Sequence, residues 1–160
     1  MMKKRLTSLA LSAMMVLSMV PATAFAAKDA GTPPTYNSAT GCYEISTPAQ
    51  LLYLAGKWKD GAPRDGHYVL TADIDMTGVK GFKPIASKKA EGFTGTFDGQ
   101  FHSIKGLRIE YEKKYAGLFG YVGNQDDQAY IKNVALLDCY VTGQQNVGAL
   151  AGVNYGTITD

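Results

Sequence analysis

A six-residue segment returns after 27 positions, and this repetition limits the folds open to the chain more than any other feature. Ile104–Ile109 (Ile-Lys-Gly-Leu-Arg-Ile) recurs as Ile131–Leu136 (Ile-Lys-Asn-Val-Ala-Leu), and Ile158–Asp160 lies a further 27 positions on. Between these copies, Ala116–Gly120 resembles Val147–Gly152 with one residue inserted. A period in the twenties with glycine at the corners is typical of a solenoid, whose turns bury apolar side chains against each other.

Short apolar or alternating runs separated by glycine follow Gly66, and this pattern predicts strands rather than helices. The runs are Tyr68–Ile74, Phe93–Phe97, Ser103–Ile109, Tyr115–Val122, Ile131–Val141 and Val147–Val153. Leucine-rich repeats have a similar length, but their L-x-x-L-x-L pattern with Asn or Cys is absent. We therefore predict an all-β fold, a parallel β-helix with about 27 residues per turn, in preference to a sandwich of unrelated strands.

Stacked turns lie about 4.8 Å apart and align equivalent residues into ladders. The repeat predicts three such ladders: Ile104 with Ile131 and Ile158, Leu107 with Val134, and Ile109 with Leu136.

One helix is predicted ahead of the strands, from Pro48 to Lys59. Thr47 is the expected N-cap, and Gln50 three residues later completes a capping box. Leucines and Trp58 form one apolar stripe, which indicates a helix packed on the core. We expect this helix to cap the N-terminal end of the solenoid, where an open strand edge would otherwise invite pairing.

Residues 1–26 have the pattern of a cleavable secretory signal peptide. Three cations at Lys3–Arg5 precede a 15-residue apolar run, Leu6–Val20, and Ala24–Ala26 supplies the small-x-small cleavage site. The run is too short to span a bilayer, although an N-terminal membrane anchor is the alternative. We expect a secreted or cell-surface protein with no membrane insertion after signal cleavage.

The mature chain is nearly neutral, because removal of three cations leaves 13 Lys and Arg against 14 Asp and Glu. No basic patch points to nucleic acid.

The mature chain divides into two parts. Residues 27–41 read as a flexible lead-in, rich in Gly, Pro, Asn and Ser. Residues 42–160 read as one β-helix domain that includes the helix and ends inside a repeat. We therefore expect the chain either to be a truncated product or to pair end to end with another chain.

Four segments resemble the GLUG motif of bacterial surface proteins: Gly117–Gly120, Ile131–Val134, Val147–Gly152 and Gly156–Ile158. Three upstream segments are similar to the sequence that precedes those motifs in the family: Ile45–Leu51, Tyr68–Met76 and Phe93–Ile104. One position differs, because Phe82 stands where the family often carries Trp. The resemblance covers about residues 42–160. It implies a right-handed parallel β-helix of the pectin-lyase-like kind, as in adhesin-like proteins and, outside the catalytic domain, in immunoglobulin A-cleaving metalloproteases.

The sequence offers few candidates for chemistry. Asp73 with Asp75, or Asp126 with Asp127, could approach a cation, but Ca²⁺ requires six to eight oxygen ligands. Asp98 is expected to brace its own turn. His67 and His102 lack zinc spacing, and a bridge between Cys42 and Cys139 is left open. We predict no catalytic, cofactor-binding or metal-binding residues and no cofactor.

Ten tyrosines remain as candidates for contacts with sugars or proteins, or simply as strand formers. They include Tyr111, Tyr115, Tyr121, Tyr130, Tyr140 and Tyr155.

Two functional hypotheses follow. The first is a non-catalytic β-helix module, structural or adhesive, that binds a host or cell-surface protein or glycan. The second is the non-catalytic front end of a secreted protease or polysaccharide-degrading enzyme.

Overall fold

The structure is a computed structural model that describes residues 31–56 and 62–160. The predicted signal peptide, residues 1–26, lies outside the described residues, as does Trp58. Within the described residues, no helix is long and apolar enough to cross a membrane.

The described chain is built mostly of short strands, with one α-helix, α1 (Pro48–Gly56), and one 3₁₀ turn (Lys89–Glu91). The all-β class with a single N-terminal helix is therefore confirmed. The strands are β1 (Thr35–Asn37), β2 (Cys42–Ile45), β3 (His67–Leu70), β4 (Ile74–Asp75), β5 (Thr96–Asp98), β6 (Ser103–Lys105), β7 (Arg108–Ala116), β8 (Phe119–Val122), β9 (Tyr130–Lys132), β10 (Ala135–Leu137), β11 (Tyr140–Val147), β12 (Ala151–Asn154) and β13 (Thr157–Thr159).

The strands form four small sheets that the chain visits repeatedly. The largest has the order β1-β2-β3-β5-β9-β13, in which β1 is antiparallel to β2 and every other pair is parallel. The other three have the orders β4-β6-β10, β7-β11 and β8-β12, all parallel. We call each passage of the chain through the sheets and back to the largest sheet a circuit, and residues 133–160 the final circuit.

The largest sheet, called the first sheet from here on, aligns apolar residues of successive circuits in register. Tyr68 lies beside Phe97, Phe97 beside Ile131, and Ile131 beside Ile158. The predicted pairing of Ile131 with Ile158, 27 positions apart, is therefore confirmed. The same 27-residue spacing does not hold for the other circuits.

The predicted partners of Ile104 and Ile109 are wrong. Ile104 lies between Ile74 and Leu136, and Ile109 lies beside Val141, 32 positions away. Ile104 lies in β6 of the β4-β6-β10 sheet, whereas Ile131 lies in β9 of the largest sheet. The sequence repeat therefore compares segments at different positions of the circuit.

The predicted pair of Leu107 with Val134 is also wrong. The Leu107 carbonyl accepts a hydrogen bond of 2.9 Å from the Tyr140 backbone N–H, and the neighbouring Gly106 N–H donates to the Leu137 carbonyl. Leu107 therefore faces the turn between Leu137 and Tyr140.

Helix α1 begins where the capping pattern predicts. The Gln50 N–H donates to Oγ1 of Thr47 at 3.3 Å, and Oε1 of Gln50 accepts from the Ser46 N–H at 2.8 Å. The return bond thus reaches one residue further back than in a standard capping box. The described part of the helix ends at Gly56, and the rest of the predicted span to Lys59 lies outside the described residues.

The open edge of the first sheet is covered by a strand rather than by the helix. Within the segment 27–41, expected to be a flexible lead-in, β1 pairs in register with β2 from Thr35 to Asn37. Helix α1 instead contributes Leu51 and Leu54 to the core.

The buried apolar side chains lie inside the earlier circuits, and those of the final circuit are less buried. The largest fully buried side chains include Tyr68, Phe93, Phe97 and Phe119, which approach each other as neighbouring rings. No residue after Ile131 is buried to the same degree. The final circuit therefore presents one side of its apolar interior to solvent.

Candidate functional site

The two longest strands, β7 and β11, change register partway along their pairing. Gly143 lies beside Tyr111, but Gln145 lies beside Lys114. Two residues of β7, Glu112 and Lys113, therefore face the single residue between Gly143 and Gln145. This is a β-bulge, a feature that re-aims side chains and is common at binding sites.

An open groove of about 770 Å³ lies at this bulge. Its lining combines carboxylate, hydroxyl, amide and aromatic groups from the two strands: Glu110, Tyr111, Glu112, Thr142, Gly143 and Gln144.

One side of the groove is ordered by an arginine. Nη2 of Arg108 lies 2.7 Å from Oε1 of Glu110, and the guanidinium also lies 4.4 Å from the centre of the Tyr140 ring. This hydrogen bond lowers the pKa of Glu110 and raises that of Arg108. Both groups are exposed, so the pair orients the Glu110 side chain but adds little stability.

The carboxylate of Glu112 makes no hydrogen bond or ion pair to any of the described residues. With Glu110 it supplies acceptors, while the Thr142 hydroxyl and the Gln144 amide can both donate and accept. Tyr111 packs partly against the core and adds an apolar ring. Such a lining suits a ligand rich in hydroxyl groups.

Two of the acidic residues considered as cation ligands accept hydrogen bonds from other residues of the chain. Oδ1 of Asp73 accepts hydrogen bonds from the Ser103 N–H at 2.7 Å and from its hydroxyl at 3.2 Å. These bonds lower the pKa of Asp73. Oδ1 of Asp75 instead accepts from the Thr77 N–H at 2.9 Å, which closes a turn.

Nδ1 of His102 lies 3.4 Å from Oδ1 of Asp73, which brings a serine, a histidine and an aspartate together. The Ser103 hydroxyl, however, donates to Asp73 and not to His102. A nucleophile needs a base within hydrogen-bond reach, so this cluster joins adjacent circuits and lacks the arrangement of a catalytic triad.

The Asp126 and Asp127 pair lies in a turn organised by Asn124. Oδ1 of Asn124 accepts from both aspartate N–H groups, at 2.8 and 2.7 Å, and its amide donates to Oδ2 of Asp127 at 3.1 Å. Across residues 31–56 and 62–160, no three His, Cys, Asp or Glu side chains gather where they could hold a metal ion.

Cys42 and Cys139 are both free thiols. Burial raises the pKa of the Cys139 thiol, which keeps it in its less reactive protonated form at neutral pH.

The tyrosines divide into inner and outer groups. Tyr121 is buried and contacts the rings of Tyr115 and Tyr155, with centroids 5.4 and 5.6 Å away. Tyr130, Tyr140 and Tyr155 are about half exposed. The outer group is therefore available for contacts with a ligand, whereas Tyr121 packs in the interior.

Sequence reasoning missed the groove residues Glu110, Glu112 and Gln144. Glu110-Tyr111-Glu112 does alternate between charged and aromatic residues, which is the period of a strand. The mixed charges from Arg108 to Lys114 concealed that alternation, because no apolar run continues through them.

Comparisons with known proteins found two long relatives. The chain is 36% identical over 133 residues to halomucin of Haloquadratum walsbyi, which covers 74% of this chain and 1% of halomucin. It is also 36% identical over 125 residues to a protein of Evansella cellulosilytica named as a Gly-rich membrane protein, covering 72% of this chain and 14% of that protein. The chain thus spans a small part of each.

No protein-family model and no solved structure matches the chain, so the resemblance to GLUG repeats stays an expectation. The similarity to halomucin and to a named membrane protein is consistent with a protein of the cell surface or its exterior.

Proposed function

We propose that this chain is a non-catalytic module of a secreted or cell-surface protein, built as a right-handed parallel β-helix that acts as a rigid, adhesive element. The observation that carries the proposal is the parallel pairing of successive circuits in all four sheets, which is in register except at the β7–β11 bulge. Stacked circuits of this kind make a stiff body, because each sheet hydrogen-bonds the strands of one circuit to those of the next.

The two relatives support a surface role. Both contain a segment similar to this chain within a much longer protein. A repeat-built segment embedded in a long surface protein serves well as a spacer that holds binding groups away from the cell.

The adhesive part of the proposal rests on the groove at the β7–β11 bulge. Its acceptors on Glu110 and Glu112, the groups of Thr142 and Gln144 and the Tyr111 ring suit a glycan, whose hydroxyl groups donate to carboxylates and whose ring faces stack on aromatic side chains. We therefore favour a glycan over a protein ligand for this groove.

A glycan array probed with purified residues 27–160 tests this assignment. We expect binding to one group of glycans that is lost when Glu112→Ala and Gln144→Ala are combined. The matched control is Asp126→Ala, an exposed acidic residue outside the groove. Absence of glycan binding by the unmodified chain, or equal binding by the groove variant, would contradict the adhesive role.

A further inference from the structure

Phe101 is the most exposed large hydrophobic residue of the described chain, at 82%. It lies in the turn that joins β5 to β6, residues 99–102, and outside the apolar core of the described residues. A single exposed apolar side chain is ordinary on a protein surface. The backbone of Phe101 and the groups around it therefore decide whether the ring has a role.

The exposure of Phe101 comes from a turn that is longer than the turns stacked on either side of it. Between positions that align in the first sheet and in the β4-β6-β10 sheet, the chain has five residues here (99–103), four in the preceding circuit (70–73) and three in the following one (133–135). The longer turn projects outward, since Gln100 and Phe101 are both exposed. Phe101 is thus exposed although a circuit is stacked on each side of it.

Phe101 also has a backbone conformation that its side chain disfavours. Its φ is 62°, and that of Gln100 is 47°, so two consecutive non-glycine residues are left-handed. Glycine or asparagine adopts such angles more readily. Non-glycine residues held at positive φ concentrate at binding and catalytic sites. The position therefore combines backbone strain with an apolar ring in water, and neither contributes to the fold.

Hydrogen bonds fix this turn in the absence of a ligand. The Phe101 N–H donates to the Asn133 carbonyl at 2.8 Å, and the His102 N–H donates to the Gly99 carbonyl at 2.8 Å. Gly99 packs directly on the following circuit, because a Cβ there would meet the Asn133 carbonyl oxygen. A ring presented on a turn held in this way loses little conformational entropy when it binds.

The polar groups next to the ring suit the hydroxyl groups of a sugar. Nδ1 of His102 lies 3.4 Å from Oδ1 of Asp73 and donates to it, so Nε2 of the neutral imidazole is left as a hydrogen-bond acceptor. The exposed Gln100 amide can both donate and accept. The ring is thus flanked by groups that hydrogen-bond hydroxyls.

The charges around the turn favour a neutral sugar over an anionic one. Residues 99–103 contain no Lys or Arg. The nearby Nζ of Lys132 lies 3.2 Å from Oδ2 of Asp98 and is engaged there. A sugar that carries carboxylate or sulfate groups would gain no cation at this turn and would approach the carboxylate of Asp73.

We propose that Phe101 is the stacking platform of a second glycan subsite, on which the C–H face of a neutral sugar ring packs while Gln100 and His102 hydrogen-bond its hydroxyl groups. Aromatic rings offer a large apolar face at low entropic cost. This subsite rests on the proposed adhesive function, but its residues lie outside the groove at the β7–β11 bulge.

A glycan array carrying neutral oligosaccharides of glucose, mannose, galactose and N-acetylglucosamine, together with uronic-acid polymers, tests the subsite with residues 27–160. Phe101→Asn removes the ring but suits a φ of 62°. We expect its affinity for the neutral glycans to fall by about 10–100-fold, the effect of losing one buried ring. Phe101→Tyr keeps the ring and should bind as the unmodified chain does.

Urea unfolding of Phe101→Asn provides a readout that needs no ligand. We expect its free energy of unfolding to equal or exceed that of the unmodified chain, because asparagine relieves the strain at this φ. A less stable Phe101→Asn variant would overturn the inference, since the ring would then be required by the fold.

The groove variant, Glu112→Ala with Gln144→Ala, separates this subsite from the groove. Loss of glycan binding in the groove variant but not in Phe101→Asn would overturn this inference and retain the groove. Loss in Phe101→Asn but not in the groove variant would support the subsite and contradict the groove assignment. Preference of the unmodified chain for uronic-acid polymers would also overturn the inference.

Discussion

Oδ1 of Asp98 accepts a hydrogen bond of 3.0 Å from the amide nitrogen of Asn133, although 35 positions separate the two residues. They lie at the ends of neighbouring strands, so the bond ties one circuit to the next. Oδ1 also accepts from the Gln100 N–H at 2.9 Å, and Oδ2 lies 3.2 Å from Nζ of Lys132. The expectation that Asp98 braces its own turn is thus confirmed, and the same carboxylate also bridges circuits.

Asp98→Asn should lower the free energy of unfolding by about 1–3 kcal/mol at pH 7, because hydrogen bonds to the charged carboxylate are lost. Partial burial would raise the pKa of Asp98, but the bonds from Gln100, Asn133 and Lys132 outweigh it and lower the pKa. The stabilisation is therefore present above the unfolded value of about 3.9 and fades as pH falls through the folded value. Urea unfolding between pH 7 and pH 2 measures it.

The control for Asp98 is Asp126→Asn, which removes an exposed carboxylate of the same type. The unmodified chain and Asp98→Asn should differ less in free energy of unfolding at low pH. A difference that stayed constant would rule out the carboxylate as the cause of the extra stability.

Ile131→Ala should destabilise the chain by about 2–5 kcal/mol, because Ile131 is fully buried between Phe97 and Ile158 and its loss leaves a cavity. Ile158→Ala, in register with it but exposed, should cost far less. Thermal or urea unfolding of both variants makes the comparison. Equal costs would mean that the final circuit is as well packed as the one before it.

Gly95→Ala should destabilise the chain by about 1–3 kcal/mol, because its new Cβ would collide with the carbonyl oxygen of Gly66 in the preceding circuit. Gly41→Ala is the comparison, since a Cβ there meets open space and the residue's φ of 70° costs about 1–2 kcal/mol. Gly41→Asn should recover most of that loss, because asparagine tolerates positive φ, whereas Gly95→Asn should not. Recovery at both positions would indicate that the circuits are not closely stacked at Gly95.

Tyr68→Phe should cost about 1 kcal/mol at pH 7, because the Tyr68 hydroxyl donates a 2.8 Å hydrogen bond to the Pro63 carbonyl. Burial, with smaller contributions from Tyr43 and Asp65, raises the pKa of Tyr68. The unfolded chain therefore releases this proton first. The stabilisation is full below about pH 10 and declines as pH rises above it.

Urea unfolding from pH 8 to pH 11 checks the alkaline behaviour, with Tyr140→Phe at a half-exposed tyrosine as control. The difference in free energy of unfolding between the unmodified chain and Tyr68→Phe should decrease above pH 10. A constant difference across this range would contradict a buried, neutral phenol.

The sequence predicted the kind of fold better than its register. Glycine-separated apolar runs correctly indicated short strands, and Thr47 and Gln50 correctly indicated the helix start. The repeated six residues misaligned Ile104 with Ile131, because they compare a strand of the β4-β6-β10 sheet with a strand of the largest sheet. Similarity between short apolar segments carries no information on which sheet each segment joins.

Two further elements escaped prediction for a related reason. The sequence pattern predicts separate strands in Ser103–Ile109 and Tyr115–Val122, yet β7 extends without interruption from Arg108 to Ala116. Its central residues are charged and face solvent, so apolar periodicity could not reveal the strand or the groove beside it. β1 was missed because three residues paired by a tight turn leave almost no pattern.

The antiparallel β1–β2 pair also bears on the order in which the molecule forms. These strands are joined by a tight turn, so their contact requires little loop closure and can form as soon as both have emerged. The later strands of that sheet, β3, β5, β9 and β13, then each add to an edge that already exists. Folding can thus proceed from the amino end in the order of synthesis, with each completed layer acting as the template for the next.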